Sequence, residues 1–374
     1  VALKKLLLKS GVNKESTRYT NENGWYLSDK VRFRQGTPEK IGGWERISSS
    51  TFFGICRFLW NWVTLGFENL LALGTNLKVY IERGGTYSDI TPIRQRNYTA
   101  SLSNPFDTTT GSAAVTVNDT AHGAQAGDLV YFSGASAVGG VPAAELNTRH
   151  VITSVTNANA YVITVTTAAT STVSGGGTVA AEYYINTFLL GSDPFATTSG
   201  SPTVVVTANT HDAVNGSFVT FSGATAVAGL TLNGEFQLTY LTGNTYSITA
   251  SSNASSTTTG GGSAVLASYQ LNVGPAIQGP LTGWGGGTWG QNTWGVGGTS
   301  TESLRLWSLQ NFGEDLVFGP RGGGLYYWDA TSGTTTRGVN VETMVGASDV
   351  PTKQNLIFVS DIFRFVFCMG VNDY

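Results

Sequence analysis

Hydrophobic and polar positions alternate in short runs along the whole chain, and no apolar run keeps a helical period for more than two turns. Lys30-Val31-Arg32-Phe33-Arg34 shows the pattern: Val31 and Phe33 fall on one face of a strand, the three bases on the other. Gln35-Gly36-Thr37-Pro38 reads as a turn, with Trp25 and Trp44 packing across one face of the hairpin. Four strands are predicted next, over 54–60, 62–67, 69–74 and 77–82, closed by a Gly84-Gly85 turn. The same shape returns over 303–308, 315–318, 324–328 and 335–339, and a third round begins at 355–359 and 364–368. Short strands at close spacing with glycine turns predict propeller blades.

Between the first two blades lies a doublet. Residues 104–186 and 193–272 are two copies of one pattern. Val115, Val117, His122, Gly127, Val130 and Phe132-Ser133-Gly134 return 89 residues later as Val204, Val206, His211, Gly216, Val219 and Phe221-Ser222-Gly223. After a three-residue slip, Leu146-Asn147 answers to Leu232-Asn233, Tyr161 to Tyr246, Gly175-Gly176-Gly177 to Gly260-Gly261-Gly262, and Tyr184 to Tyr269. Each copy predicts a small barrel or sandwich of five or six strands, with hairpin turns at Asn157-Ala158-Asn159 and Gly243-Asn244. The expected fold is therefore all-β, a propeller-like host interrupted by two tandem modules. Its parts are 1–96 (first part of the platform), 97–186 and 187–273 (the modules) and 274–374 (a Gly/Trp-rich loop and the rest of the platform). The strong strand at 362–368, followed by a turn at Asn372-Asp373-Tyr374, reads as the first part of a longer polypeptide, truncated at its C-terminus.

Composition adds charge asymmetry. Of 374 residues only 12% are charged, but residues 1–50 carry ten Lys and Arg against five acids, while 97–272 hold one base, Arg149, against eight acids. That suits a basic host facing nucleic acid or acidic partners, with acidic modules in solvent; plain surface solubility explains it equally well. Lys30, Arg32, Arg34 and Lys40 are the candidate channel or inter-ring contacts. Trp284, Trp289 and Trp294 recur every five residues in the Gly-rich stretch and are the candidate packing or interface anchors. Cys56 and Cys368 lie in apolar runs and read as buried small hydrophobes rather than a disulfide framework. No run of 18 apolar residues predicts a membrane helix.

Candidate chemistry is sparse. His122 and His211 occupy equivalent turns without a second His or Cys at ligand spacing, and read as structural. Asp128 is replaced by Ser217 in the second copy, so the shared fold does not need it. Glu314-Asp315 and Asp361 are loop acids that nothing in the sequence places together as a hydrolytic pair. With no nucleophile elbow, phosphate loop or zinc motif, the expectation is a protein that is not an enzyme and takes no cofactor or metal.

Two stretches carry a family resemblance. Gly11-Val12-Asn13, Thr17-Arg18-Tyr19, Gly24-Trp25-Tyr26 and the run from Asp29 to Trp44 resemble the start of the packaged-DNA stabilisation, or tail nozzle, proteins of short-tailed bacteriophages. The three spaced tryptophans, Leu304-Arg305-Leu306-Trp307, Asn311-Phe312-Gly313-Glu314-Asp315 and Gly322–Asp329 are similar to the same family. The resemblance implies a hexameric ring below the portal and adaptor, in the virion tail and assembled in the bacterial host cytoplasm. It further implies a platform around a DNA channel that closes the tail, retains packaged DNA and carries fibres. Its partners would be copies of itself, adaptor and portal-side proteins, tail fibres, and passing double-stranded DNA without sequence reading. The modules' Gly-Asp-x-Val-x-Phe-Ser-Gly pattern also resembles a small barrel of ubiquitin-activating enzymes, which bears on fold alone. The alternative function is a carbohydrate- or receptor-binding tail protein that uses the tandem modules.

Overall fold

The computed structural model describes residues 8–15, 17–43, 48–271, 273–274, 306–344, 346–360 and 362–371. Its compact units divide at Ser49/Ser50, within the stretch 1–96. Among the described residues nearly all regular structure is strand, with one four-residue helix, Ala143–Leu146, and two single-turn 3-10 segments.

In the first unit, Val31–Arg34 and Thr37–Lys40 form a two-stranded hairpin around the turn Gln35-Gly36. Thr37 and Pro38, expected in the turn, belong to the second strand, where Pro38 stands opposite Phe33. A two-stranded ribbon has no central strand, so the missing N–H of Pro38 is tolerated there. Trp25 packs edge-on against Phe33, ring centroids 6.0 Å apart. Trp44, its expected partner across the hairpin, lies outside the described residues.

In the second unit two antiparallel meanders stack face to face. Cys56–Val63, Asn69–Thr75, Val79–Arg83 and Thr86–Asp89 pair in sequence order, as do Trp307–Phe312, Asp315–Pro320, Tyr326–Trp328 and Val339–Asn340. The two strands expected at 54–60 and 62–67 are one strand. Asn61 does not break it, because Asn61 falls on the exposed face between Trp60 and Trp62, which turn inward. The fourth strand is Thr86–Asp89 instead. Leu70, Ala72, Val79 and Ile81 of the first sheet meet Trp307, Leu309, Leu316 and Phe318 of the second in one core. Val317 points to the opposite face and packs with Ile357, Val359, Val366 and Cys368 of a third, two-stranded sheet, Leu356–Val359 with Val366–Met369. The strand Asp315–Pro320 is thus covered on both sides, which is why its apolar run is unbroken. Sheets stacked in chain order in this way are propeller-like blades. Cys56, expected to be buried, is exposed, and Cys368 is half-buried; both are free thiols.

The modules have separate cores, one within 102–185 and one within 190–269. In the first, one curled eight-stranded sheet runs through the whole module; in the second the same strand order is divided between a four- and a five-stranded sheet. The difference lies in one strand. Arg149–Asn157 is continuous with register shifts, whereas its counterpart is broken at buried Leu238 into Gly234–Gln237 and Thr239–Thr242. Strands that bend around a corner in this way close a small barrel. Gly176 (φ 118) and Gly261 (φ 114) explain the shared glycine triplets: a Cβ there would lie 2.6 and 2.5 Å from Cδ2 of Phe106 and Phe195. The doublet leaves and rejoins the platform side by side, since Arg94 N bonds Tyr269 O and Leu271 N bonds Pro92 O.

Candidate functional site

The repeat positions compare residue by residue. Val130 pairs with Tyr183 across the ladder, and Val219 with Tyr269. Tyr183, not Tyr184, is therefore the counterpart of Tyr269, and the alignment slips by one residue after the glycine triplet. The same bonds follow: Tyr161 and Tyr183 hydroxyls lie 2.8 Å apart, those of Tyr246 and Tyr269 3.2 Å. Each histidine closes this cluster edge-on to its tyrosine, with ring centroids 5.0 Å apart in both copies. Nδ1 of His122 accepts from Ala124 N and that of His211 from Ala213 N, which leaves Nε2–H to donate to the carbonyls of Asn157 and Thr242. Both imidazoles are fully bonded and buried, so they hold the turns.

Asp128 accepts from the amides of Gln125 (2.8 Å) and Asn186 (3.0 Å). Burial pushes its carboxyl up to about 6 in spite of those bonds. A raised acid binds its proton more tightly in the folded chain, so its favourable contribution is full below the unfolded value and is lost as pH rises to about 6. Wild type is expected to lose about 2 kcal/mol relative to Asp128→Ser between pH 4 and 7. Denaturant unfolding of both proteins at the two pH values measures this, and an unchanged difference would refute it.

Two charged contacts hold the modules to the platform, and they use one repeat position. Arg149 follows Leu146-Asn147 by the same spacing as Glu235 follows Leu232-Asn233, and each stands opposite an equivalent residue, Tyr131 or Thr220. Arg149 lies over the Tyr184 ring at 5.2 Å and donates to Met344 O at 3.1 Å. Glu235 bonds Lys78 and Gln270, and pairs with Arg337 at 3.3 Å. Lys78 also bonds Asp89 at 2.8 Å and lies 4.2 Å from the centre of the Phe218 ring. Burial pushes the Asp89 carboxyl up, but Arg337 and Lys78 outweigh it and hold it below the usual range.

A cleft of about 730 Å³ opens between the two modules. One wall carries Gln125 and Asn157 of the first module; the other carries Asn209 of the second. Phe188 of the linker packs against both cores and lies 5.7 Å from Tyr269. Arg96 and Tyr98, from the strand Arg96–Ser103, complete the lining. Arg94 braces the junction by donating to the carbonyls of His211 and Asp212 beside the Tyr269 ring.

The residues singled out from the sequence lie elsewhere. Arg32 and Arg34 share one exposed hairpin face, where Arg32 pairs with Glu39 at 3.1 Å. Lys40 stands opposite Val31 and so on the other face, and Lys30 precedes the strand at φ 55. The four bases therefore do not form one stripe. Trp284, Trp289, Trp294 and Asp361 lie outside the described residues. Glu314 caps Leu65 N, and Asp315 accepts from Tyr327 and Ala330. Among the described residues, no group of three metal-ligating side chains occurs and no helix is long and apolar enough to cross a membrane.

No protein-family model matches the chain, and no curated protein does. A solved structure named phage phi92 endosialidase matches over 88% of this chain and 42% of its own, with 13% identity and a TM-score of 0.24. The chain thus spans less than half the length of that structure. A likeness so slight assigns no residue and no activity here. It does contradict the expectation that the chain is not an enzyme, because the matched protein bears an enzyme's name, and that expectation is set aside.

Proposed function

We propose that the chain is a virion structural protein, a tail nozzle subunit that assembles into a hexameric ring below the portal and adaptor. In this reading the ring closes the tail channel, retains packaged DNA and supports fibres. The observation that carries it is the pair of apolar faces at the two ends of the blade stack. At one end Leu59 and Val63 face outward, joined by Leu65 and Phe67 of the following turn, which are 86% and 88% exposed. At the other end Leu356, Phe367 and Met369 turn away from the stack. Apolar surface of this extent calls for cover, and neighbouring copies supply it in a ring through a head-to-tail contact. The resemblance of the Asp29–Trp44 run to nozzle proteins supports the same reading. Arg34 and the partly neutralised Arg32 fit a channel wall past which DNA must slide, because few phosphate contacts hold it loosely.

Electron microscopy of virions with this chain located by a specific antibody fragment tests the proposal. A ring on the tail axis is expected. A chain that is monomeric at micromolar concentration and absent from purified virions would exclude it.

A further inference from the structure

We infer that the cleft between the modules binds an acidic oligosaccharide. Its volume, about 730 Å³, lies within the range of small-ligand sites, on the order of 300–1,000 Å³. Its walls are mostly apolar and its polar groups few, which is the usual balance of such sites. Three of its polar groups are side-chain amides. Gln125 and Asn209 offer whole side-chain amides, and Asn157 offers its amide nitrogen, since its Oδ1 is already bonded to Asn159 N. The planar amides of Gln125 and Asn209, each with a donor and an acceptor, match vicinal hydroxyls, which donate and accept together. Phe188 and Tyr98 supply flat apolar surface for the C–H face of a sugar ring.

Charge narrows the ligand further. Arg96 is the one charged side chain that lines the cleft, it is exposed, and no carboxylate pairs with it among the described residues. A guanidinium with free donors binds a carboxylate through two parallel bonds. Arg94 stands behind it with its donors on carbonyl oxygens rather than on a carboxylate. The cleft therefore presents positive charge within modules that otherwise carry eight acids against one base over 97–272. The same surface is unsuited to a neutral lipid or a hydrophobic peptide, whose groups would leave the amides and the guanidinium unmatched.

The modules are held as one site. Phe188 packs against both cores, so the gap between the walls is set by packing. The second wall is further fixed by the Arg94 bonds to His211 and Asp212.

The test uses the full chain on an array of carboxylated glycans and their neutral counterparts, followed by calorimetry on the strongest glycan retained. Carboxylated glycans are expected to be retained in preference to neutral ones. Arg96→Gln should weaken the strongest by about tenfold, the loss of a charge-assisted bond pair, and Asn209→Ala should weaken it several-fold. Both side chains are exposed, so the unfolding midpoints should stay at the wild-type value. Retention of no glycan, equal retention of neutral glycans, or an affinity unchanged by Arg96→Gln would each overturn the assignment. Ring formation on the virion is read separately by microscopy, so a negative array leaves the nozzle reading untouched, and the absence of a ring leaves the cleft assignment untouched.

Discussion

Replacing Trp307 with Ala is expected to lower the unfolding free energy by about 4 kcal/mol, within the range for removing a buried aromatic side chain. Trp307 is 3% exposed and sits where the two four-stranded sheets meet. Its indole N–H donates to Thr75 O at 2.6 Å, and its ring lies 6.2 Å from that of Phe318. The first sheet makes room for it at Gly74, where an added Cβ would be 2.5 Å from Cδ1 of the indole. Ala at position 307 leaves a cavity against backbone, which cannot collapse onto it, and takes the indole donor from Thr75. Trp307→Phe keeps a ring in the space and loses mainly the N–H bond, so about 1–2 kcal/mol is expected. Gly74→Ala pushes the ring aside at a cost of about 1–3 kcal/mol. Denaturant unfolding followed by near-ultraviolet circular dichroism ranks the three. A Trp307→Phe protein as unstable as Trp307→Ala would show that the hydrogen bond, not the packing, holds the sheets together.

The strands were legible because alternation decides which face is buried, and burial decides pairing. Val31 and Phe33, the runs before Gly74 and before Gly319, and both glycine triplets could be placed from the chain alone. Asn61 misled because a polar residue on the open face of a strand looks like a breaker until its neighbours, Trp60 and Trp62, are seen to turn inward. The tyrosine register slipped because Tyr183 and Tyr184 are adjacent and identical, so only the ladder tells which one meets Val130. Arg149 stood out as the single base in an acidic stretch, and its spacing from Leu146-Asn147 matches that of Glu235 from Leu232-Asn233, but the sequence could not show what either side chain meets. Opposite charges at one repeat position look like drift. They become a shared anchoring device only when the platform groups opposite them, Met344 O and Lys78, are in view. The cleft left no trace in the sequence, because Arg96, Gln125, Asn157 and Asn209 come from four segments that only the module junction brings together.

The second large effect concerns that anchor. Lys78→Met is expected to cost about 3 kcal/mol, at the lower end for breaking a buried ion pair from one side. Lys78 is 3% exposed, while Asp89 and Glu235 are 21% and 30% exposed, so water screens part of the charge left behind. Arg337 and Gln270 remain on both carboxylates and limit the loss further. The cost falls where the second module joins the platform, so amide exchange of Thr91–Arg94 and Tyr269–Leu271, the paired way in and way out, should quicken more than exchange within either module core. Neutralising one acid returns part of the loss: Lys78→Met with Glu235→Gln should be more stable than Lys78→Met alone, because one charge fewer stays buried without its lysine. The sign with pH is set by Asp89. Its carboxyl is held below the usual range, so the stability it contributes is present above the unfolded value and is lost as pH falls through the lower folded value. In Lys78→Met one of the two cations that depress it is gone, and the loss on acidification should begin at a higher pH than in wild type. A single variant within about 0.5 kcal/mol of wild type, or a double variant less stable than the single, would show that the ion cluster does not hold the second module to the platform.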